Sequence, residues 1–255
     1  MYHAFGGVRS GEMRRYACSE KEIARQASAL ASLGYSAVNI STACGDMAGR
    51  EPRQRSMIGM TMDDGYMDNY EIAAPVLNRF GFTATVFIVG SYVGKTNEWM
   101  ERNGFQSRRL MGWEEIRSLA MMGFEIGSHT LSHPDLRHIS DRDLAREVGD
   151  SKKMIEDKIG RAVDSFSYPH GLMDARVKDA VARAGYRFAC TTNSGFNRPG
   201  KDRLVLRRME VYGTDSLARF KRKLAFGVND APLSLSLGYY ARRLGERAAV
   251  LARTS

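Results

Sequence analysis

The stretch SMIGMTMDDGYMDNYEIAAPVLNRFGFTATVFIVG (56–90) decides how this chain is read. An apolar run, SMIGMTM (56–62), ends abruptly in Asp63-Asp64-Gly65. A helix is predicted from about Asn69 to Phe80, and a second apolar run, TATVFIV (83–89), follows it. Two continuously apolar strands joined through a helix are the signature of parallel sheet buried on both faces. The paired carboxylates therefore sit just beyond a strand's C-terminal end, the edge at which such folds build their sites.

The alternation extends in both directions. Upstream, Ser19-Glu20-Lys21-Glu22 reads as a capping box, Ile23, Ala27 and Leu30 share one helical face, and Gly34 ends the helix. YSAVNIS (35–41) reads as a strand leading into a polar loop. Downstream come the helix 113–123, the strand FEIGS (124–128), a long helix over 141–160 capped by Ser140, and the strand SFSYP (165–169). A helix from Asp174 to Ala184 and the strands YRFACTT (186–192) and LVLRRMEV (204–211) complete the series. No repeat and no shift in composition interrupts it. The expected organisation is one α/β domain over residues 1–228, with 229–255 as a basic tail or docking helix.

Bulk properties remove several function classes. The 255 residues are 43% hydrophobic and 26% charged, as in ordinary globular proteins. Runs such as ATVFIVG (84–90) are too short to cross a bilayer, and no charged leader with an apolar stretch opens the chain. As it stands the chain reads as cytoplasmic, or as a cell-envelope protein if an upstream segment precedes it. Cys18, Cys44 and Cys190 are odd in number and lack metal spacing, so neither a disulfide framework nor a sulfur-ligated metal is expected. Neither a P-loop nor GxGxxG occurs. The net charge of +9 is concentrated in residues 201–223 and in the tail. Without interleaved aromatic residues it does not suggest nucleic acid. It reads as a solvated face, or, in the tail, as peripheral contact with an anionic membrane surface. Nothing bears on oligomeric state.

Chemistry-bearing residues follow three strands: Asp63-Asp64, His129 with His133, and Pro169-His170-Gly171. Histidines four apart are suited to a metal ion, yet alone they are equally two unrelated surface residues. Asp-Gly alone is a common turn. Together, two imidazoles and one carboxylate would leave positions open for water and a substrate carbonyl, with a second carboxylate free to take a proton. A backbone N–H in the Pro169-His170-Gly171 turn would serve a developing oxyanion. An acid for the leaving group is still required.

These residues carry a family resemblance. TMDDG (61–65), HTLSH (129–133) and FSYPHG (166–171) resemble the first three motifs of the polysaccharide deacetylases, the NodB-like enzymes of carbohydrate esterase family 4. The likeness continues through 69–90, 123–130 and LRRMEV (206–211), and covers residue 1 to about 225. It implies a distorted (β/α) barrel, often seven-stranded, and hydrolytic removal of N-acetyl groups from a polysaccharide or oligosaccharide. By the same resemblance, Asp63 is the general base. Asp64, His129 and His133 hold a divalent ion, zinc first, with cobalt or nickel as alternatives. The backbone amide of His170 faces the oxyanion, and Tyr168 and Pro169 lie against substrate. An O-acetyl esterase, another amide hydrolase on the same centre, and a non-catalytic carbohydrate-binding relative stay open.

Three departures matter. Met62 replaces a phenylalanine, a volume-tolerant change. Ser167 stands where the common third motif has arginine. Arg208 resembles an arginine of members with the FxYPxG form, and either orients Asp63 or makes a surface ion pair. Finally, no histidine follows His170, so the late acid motif is missing. A branch that includes poly-N-acetylglucosamine deacetylases carries a Tyr-His signature at its N-terminal strand, and MYHAFGG (1–7) is similar to it. The resemblance makes His3 the general acid and His170 its competitor, with His138 a loop or helix-cap residue.

Overall fold

Pairing in the sheets is parallel throughout. In the computed structural model, residues 1–7, 13–46, 56–101, 104–230, 232 and 234 are described. Strands β1 (Ala4–Phe5) and β2 (Ala17–Cys18) form one pair, and β3 (Tyr35–Val38) and β4 (Ser56–Gly59) another. β5 (Thr61–Met62), β6 (Thr85–Ile88), β7 (Glu125–Ser128), β8 (Ser165–Ser167) and β9 (Phe188–Cys190) follow one another across a five-stranded sheet. Every residue of β6 and β8 is buried, which is why both read as continuous apolar or small-residue runs.

The sheet curls until its two edges meet. Beyond β9, Cys190 bridges to Leu206, and Arg208 N–H donates to the Asn193 carbonyl at 3.0 Å. The same segment reaches the start of the chain, where Val211 N–H donates to the Met1 carbonyl at 2.9 Å. Tyr2 then bridges to Met62 of β5, in parallel. Residues 1–2, β5 to β9 and 206–211 thus occupy seven successive positions around a distorted (β/α) barrel. The segment expected as the strand LVLRRMEV is present in place, but its ladder shrinks to isolated bonds.

Two further expectations change in detail. SMIGMTM divides at Met60, which donates to Val38 O and accepts from Thr85 N–H, so the strand passes from one neighbour to another. The strand expected over 35–41 stops at Val38. The Asn39 side chain accepts from Thr42 N–H at 2.8 Å and opens a helix at Ile40–Asp46, where a polar loop was expected. The helices carry the anticipated caps, the Ser19–Glu22 capping box before Glu20–Ser32 and Ser140 before Asp141; Asp174, expected as the first residue of its helix, instead caps Ala175–Arg183. A helix at Leu217–Phe226, capped by Ser216, had no sequence expectation.

The N-terminal segment is tied into this ring. Tyr2 N–H donates to Thr61 O, and Asp63 N–H to Tyr2 O, both at 2.9 Å. Asn69 Nδ2 donates to His3 O at 2.8 Å, and Phe5 N–H to Asp68 Oδ1 at 2.7 Å. His3 is therefore fixed at the edge where β5 delivers Asp63. Of the segment 229–255, only residues 229, 230, 232 and 234 are described, and the expected tail otherwise lies outside the described residues. No helix among the described residues is long and apolar enough to cross a membrane.

Candidate active site

The loop after β5 turns through left-handed backbone at Asp64 (φ 73) and Gly65 (φ 72). The two neighbouring carboxylates consequently meet different partners. Asp64 Oδ1 lies 3.6 Å from His129 Nε2 and 3.7 Å from His133 Nε2. Asp63 instead faces Arg208. Among the described residues, the non-glycine residues with positive φ are Asp64, Thr130, His133 and His170, all of them in or beside this site. Each costs roughly 1–3 kcal/mol, and such strain collects where the surrounding structure imposes a functional geometry.

His129 and His133 come from the loop after β7. The Glu147 carboxylate stitches that loop by accepting from Leu131 N–H, Ser132 N–H and the Ser132 hydroxyl. His129 Nδ1 sits 2.7 Å from the Ser167 carbonyl, which fixes the proton there and leaves Nε2 with a free lone pair. Burial lowers the pKa of His129 against the opposing charges of Asp63 and Asp64. Burial, then the neighbouring His129 and His170, hold His133 well below its ordinary range. Both shifts favour the neutral imidazole that metal ligation requires.

One donor atom each from Asp64, His129 and His133 lie within 4.8 Å of one another, and all three residues are buried. Their separations exceed a hydrogen bond and approach the ~3.3 Å ligand–ligand edge that ~2.0 Å bonds give in a tetrahedron. Two neutral nitrogens and one carboxylate oxygen suit a catalytic divalent ion, so the residues fit the metal the motifs imply.

Asp63 and Arg208 form a fully buried, two-pronged ion pair. Arg208 Nη1 donates to Asp63 Oδ1 at 2.7 Å and Nη2 to Oδ2 at 2.8 Å. The remaining donors go to Thr191 O, Thr61 Oγ1 and Ser167 Oγ, so all five guanidinium N–H groups are engaged. Burial alone would raise the Asp63 pKa. The charges of Arg208 and His129, with the Arg208 hydrogen bonds, hold it below the usual carboxylate range. The Arg208 guanidinium lies 2.9 Å from the hydroxyl of Ser167, the position where the common motif has its arginine. Arg208 is 6% exposed, so its pairing with Asp63 is not a surface ion pair.

His3 lines the same cleft, of about 420 Å³, as Asp63, Asp64, His129, His133 and His170. Its Nδ1 is buried, without a hydrogen bond, and 3.9 Å from Glu210 Oε1. Glu210 is held by the Tyr212 hydroxyl, which donates to Oε2 at 2.6 Å. His170 is exposed, and its ring stands edge-on to His133 with centroids 4.7 Å apart. Tyr168 is fully buried and donates its hydroxyl to Leu204 O at 2.9 Å, while Pro169 is buried behind the turn. Gly171 has φ 71, and a Cβ there would collide with Thr192. His138 lies away from the cleft, 3.7 Å from Asp135.

Sequence reasoning missed Glu210, Tyr16 and Phe105. Glu210 left a signal: two residues beyond Arg208 on extended chain, it faces the same way. Phe105 sits in a segment without periodicity and left none.

A family model described as polysaccharide deacetylase matches residues 50–189. YxkH of Bacillus subtilis (strain 168) is 29% identical over 162 residues, 64% of this chain and 53% of that protein. A poly-beta-1,6-N-acetyl-D-glucosamine N-deacetylase of Staphylococcus aureus (strain NCTC 8325) is 23% identical over 140 residues, 51% of this chain and 46% of that one. The chain spans about half the length of these curated relatives. Among solved structures, the Streptococcus pyogenes deacetylase PplD in complex with acetate superposes with a TM-score of 0.75 at 20% identity, over 89% of this chain and 95% of that chain. This likeness concerns the fold.

Proposed function

The chain belongs to the polysaccharide deacetylase family, and from that premise we propose that it hydrolyses N-acetyl groups on an N-acetylated polysaccharide or oligosaccharide. One observation carries the reading. A single cleft gathers the Asp64-His129-His133 donor set, an ionised Asp63 and a histidine, His3, from the opposite end of the chain.

Asp64, His129 and His133 would hold a divalent ion, zinc in the first instance, with cobalt or nickel as substitutes. When bound, the ion polarises the acetamide carbonyl and makes water a better nucleophile. Asp63 takes the proton of the attacking water. A carboxylate offers about four acceptor positions. Arg208 fills one on Oδ1 and one on Oδ2, and the Ser167 hydroxyl a second on Oδ2, so one remains on Oδ1. Arg208 also keeps Asp63 ionised and fixes its plane. The backbone amide of His170 donates to the developing oxyanion, with Tyr168 and Pro169 setting the turn that aims it. His3 gives its proton to the leaving amine nitrogen, and acetate and a free amino sugar result. Glu210 faces His3, with Oε1 3.9 Å from the ring Nδ1.

We assign the catalytic unit to residues 1–228, with 229–255 as a basic tail or docking helix. The test of the reaction class is acetate release from N-acetylglucosamine oligomers with added zinc or cobalt. Release from acetylated xylan but not from these oligomers would replace the amide reading by an ester one.

A further inference from the structure

We infer that Tyr16 and Phe105 form a sugar subsite on the acid side of the cleft, so that the protein takes chains of N-acetylhexosamine in preference to single sugars. This rests on the deacetylase reading above. In amide hydrolysis the carbonyl must face the Asp64-His129-His133 donors, and the departing nitrogen must face the acid. The pyranose ring bonded to that nitrogen then extends from His3 away from the donor set.

Aromatic rings lie beside His3. The Tyr16 ring meets the His3 ring edge-on with centroids 5.2 Å apart, and Phe105 follows at 6.4 Å from Tyr16. Both are half-buried and line the cleft together with Met100. Tyr16 is backed by Tyr212 at 6.2 Å, whose ring carries the Arg15 guanidinium at 4.1 Å. A braced aromatic surface suits the apolar C–H face of a pyranose, while the sugar hydroxyls stay in water. No lysine or arginine is among the described residues lining the cleft. The nearby Arg108 is engaged by Asp68 and the Phe5 carbonyl. The exposed Arg15 guanidinium stands 6.0 Å from the Tyr16 ring, beside the residues that line the cleft.

The test compares substrates of different length. For Phe105→Ala, kcat/KM on an N-acetylglucosamine tetramer should fall about tenfold, mainly through KM, the loss of binding shared by ground and transition states. The loss on the monosaccharide should be at most about twofold, and Phe105→Trp should restore the tetramer rate. Tyr16→Ala should give the same length-dependent pattern. Equal losses on monomer and tetramer, or no loss on either, would overturn the subsite. Calorimetric binding of the tetramer to Asp63→Asn and to Asp63→Asn/Phe105→Ala separates the two layers of the argument. Weaker binding to the double variant, together with a native protein that releases no acetate from the tetramer, would sustain the subsite and sink the reaction. Equal binding to both would sink the subsite alone.

Discussion

Replacing Arg208 with methionine should move the acid limb of the pH–rate profile towards neutrality and lower the melting temperature. Arg208 and Asp63 are 6% and 3% exposed, so solvent screens the pair little. Removing one partner of such a pair leaves a buried charge uncompensated and costs roughly 3–5 kcal/mol. For a chain of this size that corresponds to a fall in Tm on the order of 10 °C. The sign for Asp63 follows from its environment. Its folded pKa is held below the ordinary carboxylate value, so its contribution to stability is present above the unfolded pKa and is lost as pH falls through the folded value. Without the guanidinium, burial pushes the pKa up with less opposition, and Asp63 is protonated across a mildly acidic range where the native base is ionised. A divalent ion on Asp64, His129 and His133 acts in the same direction as Arg208, so part of the depression survives and the limb should shift by about one unit or more. The assay is kcat/KM against pH at saturating metal, beside thermal unfolding. Arg208→Lys, which keeps the charge but offers three donors without the planar fork, should fall between the two. An Arg208→Met protein with an unmoved acid limb and an unmoved Tm would refute this account of Asp63.

Three further outcomes are expected. His3→Gln should lower kcat by about 10²–10⁴-fold while the metal content measured by elemental analysis stays at the native level. Asp64→Ala should abolish stoichiometric zinc retention on dialysis, and chelation of the native protein should stop acetate release, reversibly on adding the ion back. Gly171→Ala forces a methyl group against Thr192 in a left-handed turn; its Tm should fall by several degrees and kcat should drop with it, as read by calorimetry and acetate release.

The barrel was legible where burial is two-sided. β6 reads as one apolar run because each of its residues is buried, and the polar residues immediately after β5, β7 and β8 mark the edge where the cleft forms. Elements governed by long-range bonds were less visible. The helix at Ile40–Asp46 opens on Asn39, while Ile40 N–H is held by Thr85 Oγ1 from β6 and Ser41 by the Glu125 carboxylate of β7. None of those partners is near in sequence. The same holds for 206–211, which reads as a strand but makes its backbone–backbone hydrogen bonds with Ala189, Thr191, Asn193 and Met1 at isolated points. At the site, Ser167 signalled that an arginine was missing, and LRRMEV suggested where one is found. Only the fold shows that the guanidinium reaches that hydroxyl. Glu210 could have been found by extending the alternation from Arg208. Tyr16 and Phe105 meet through tertiary packing alone, which no periodicity encodes.

The most direct test of the central claim is acetate release by Asp63→Asn loaded with zinc. The account predicts a folded protein that binds one zinc per chain as the native protein does, yet releases acetate from N-acetylglucosamine oligomers at least about a hundredfold more slowly, because the proton acceptor for water is gone. A zinc-loaded Asp63→Asn protein with native turnover would contradict it.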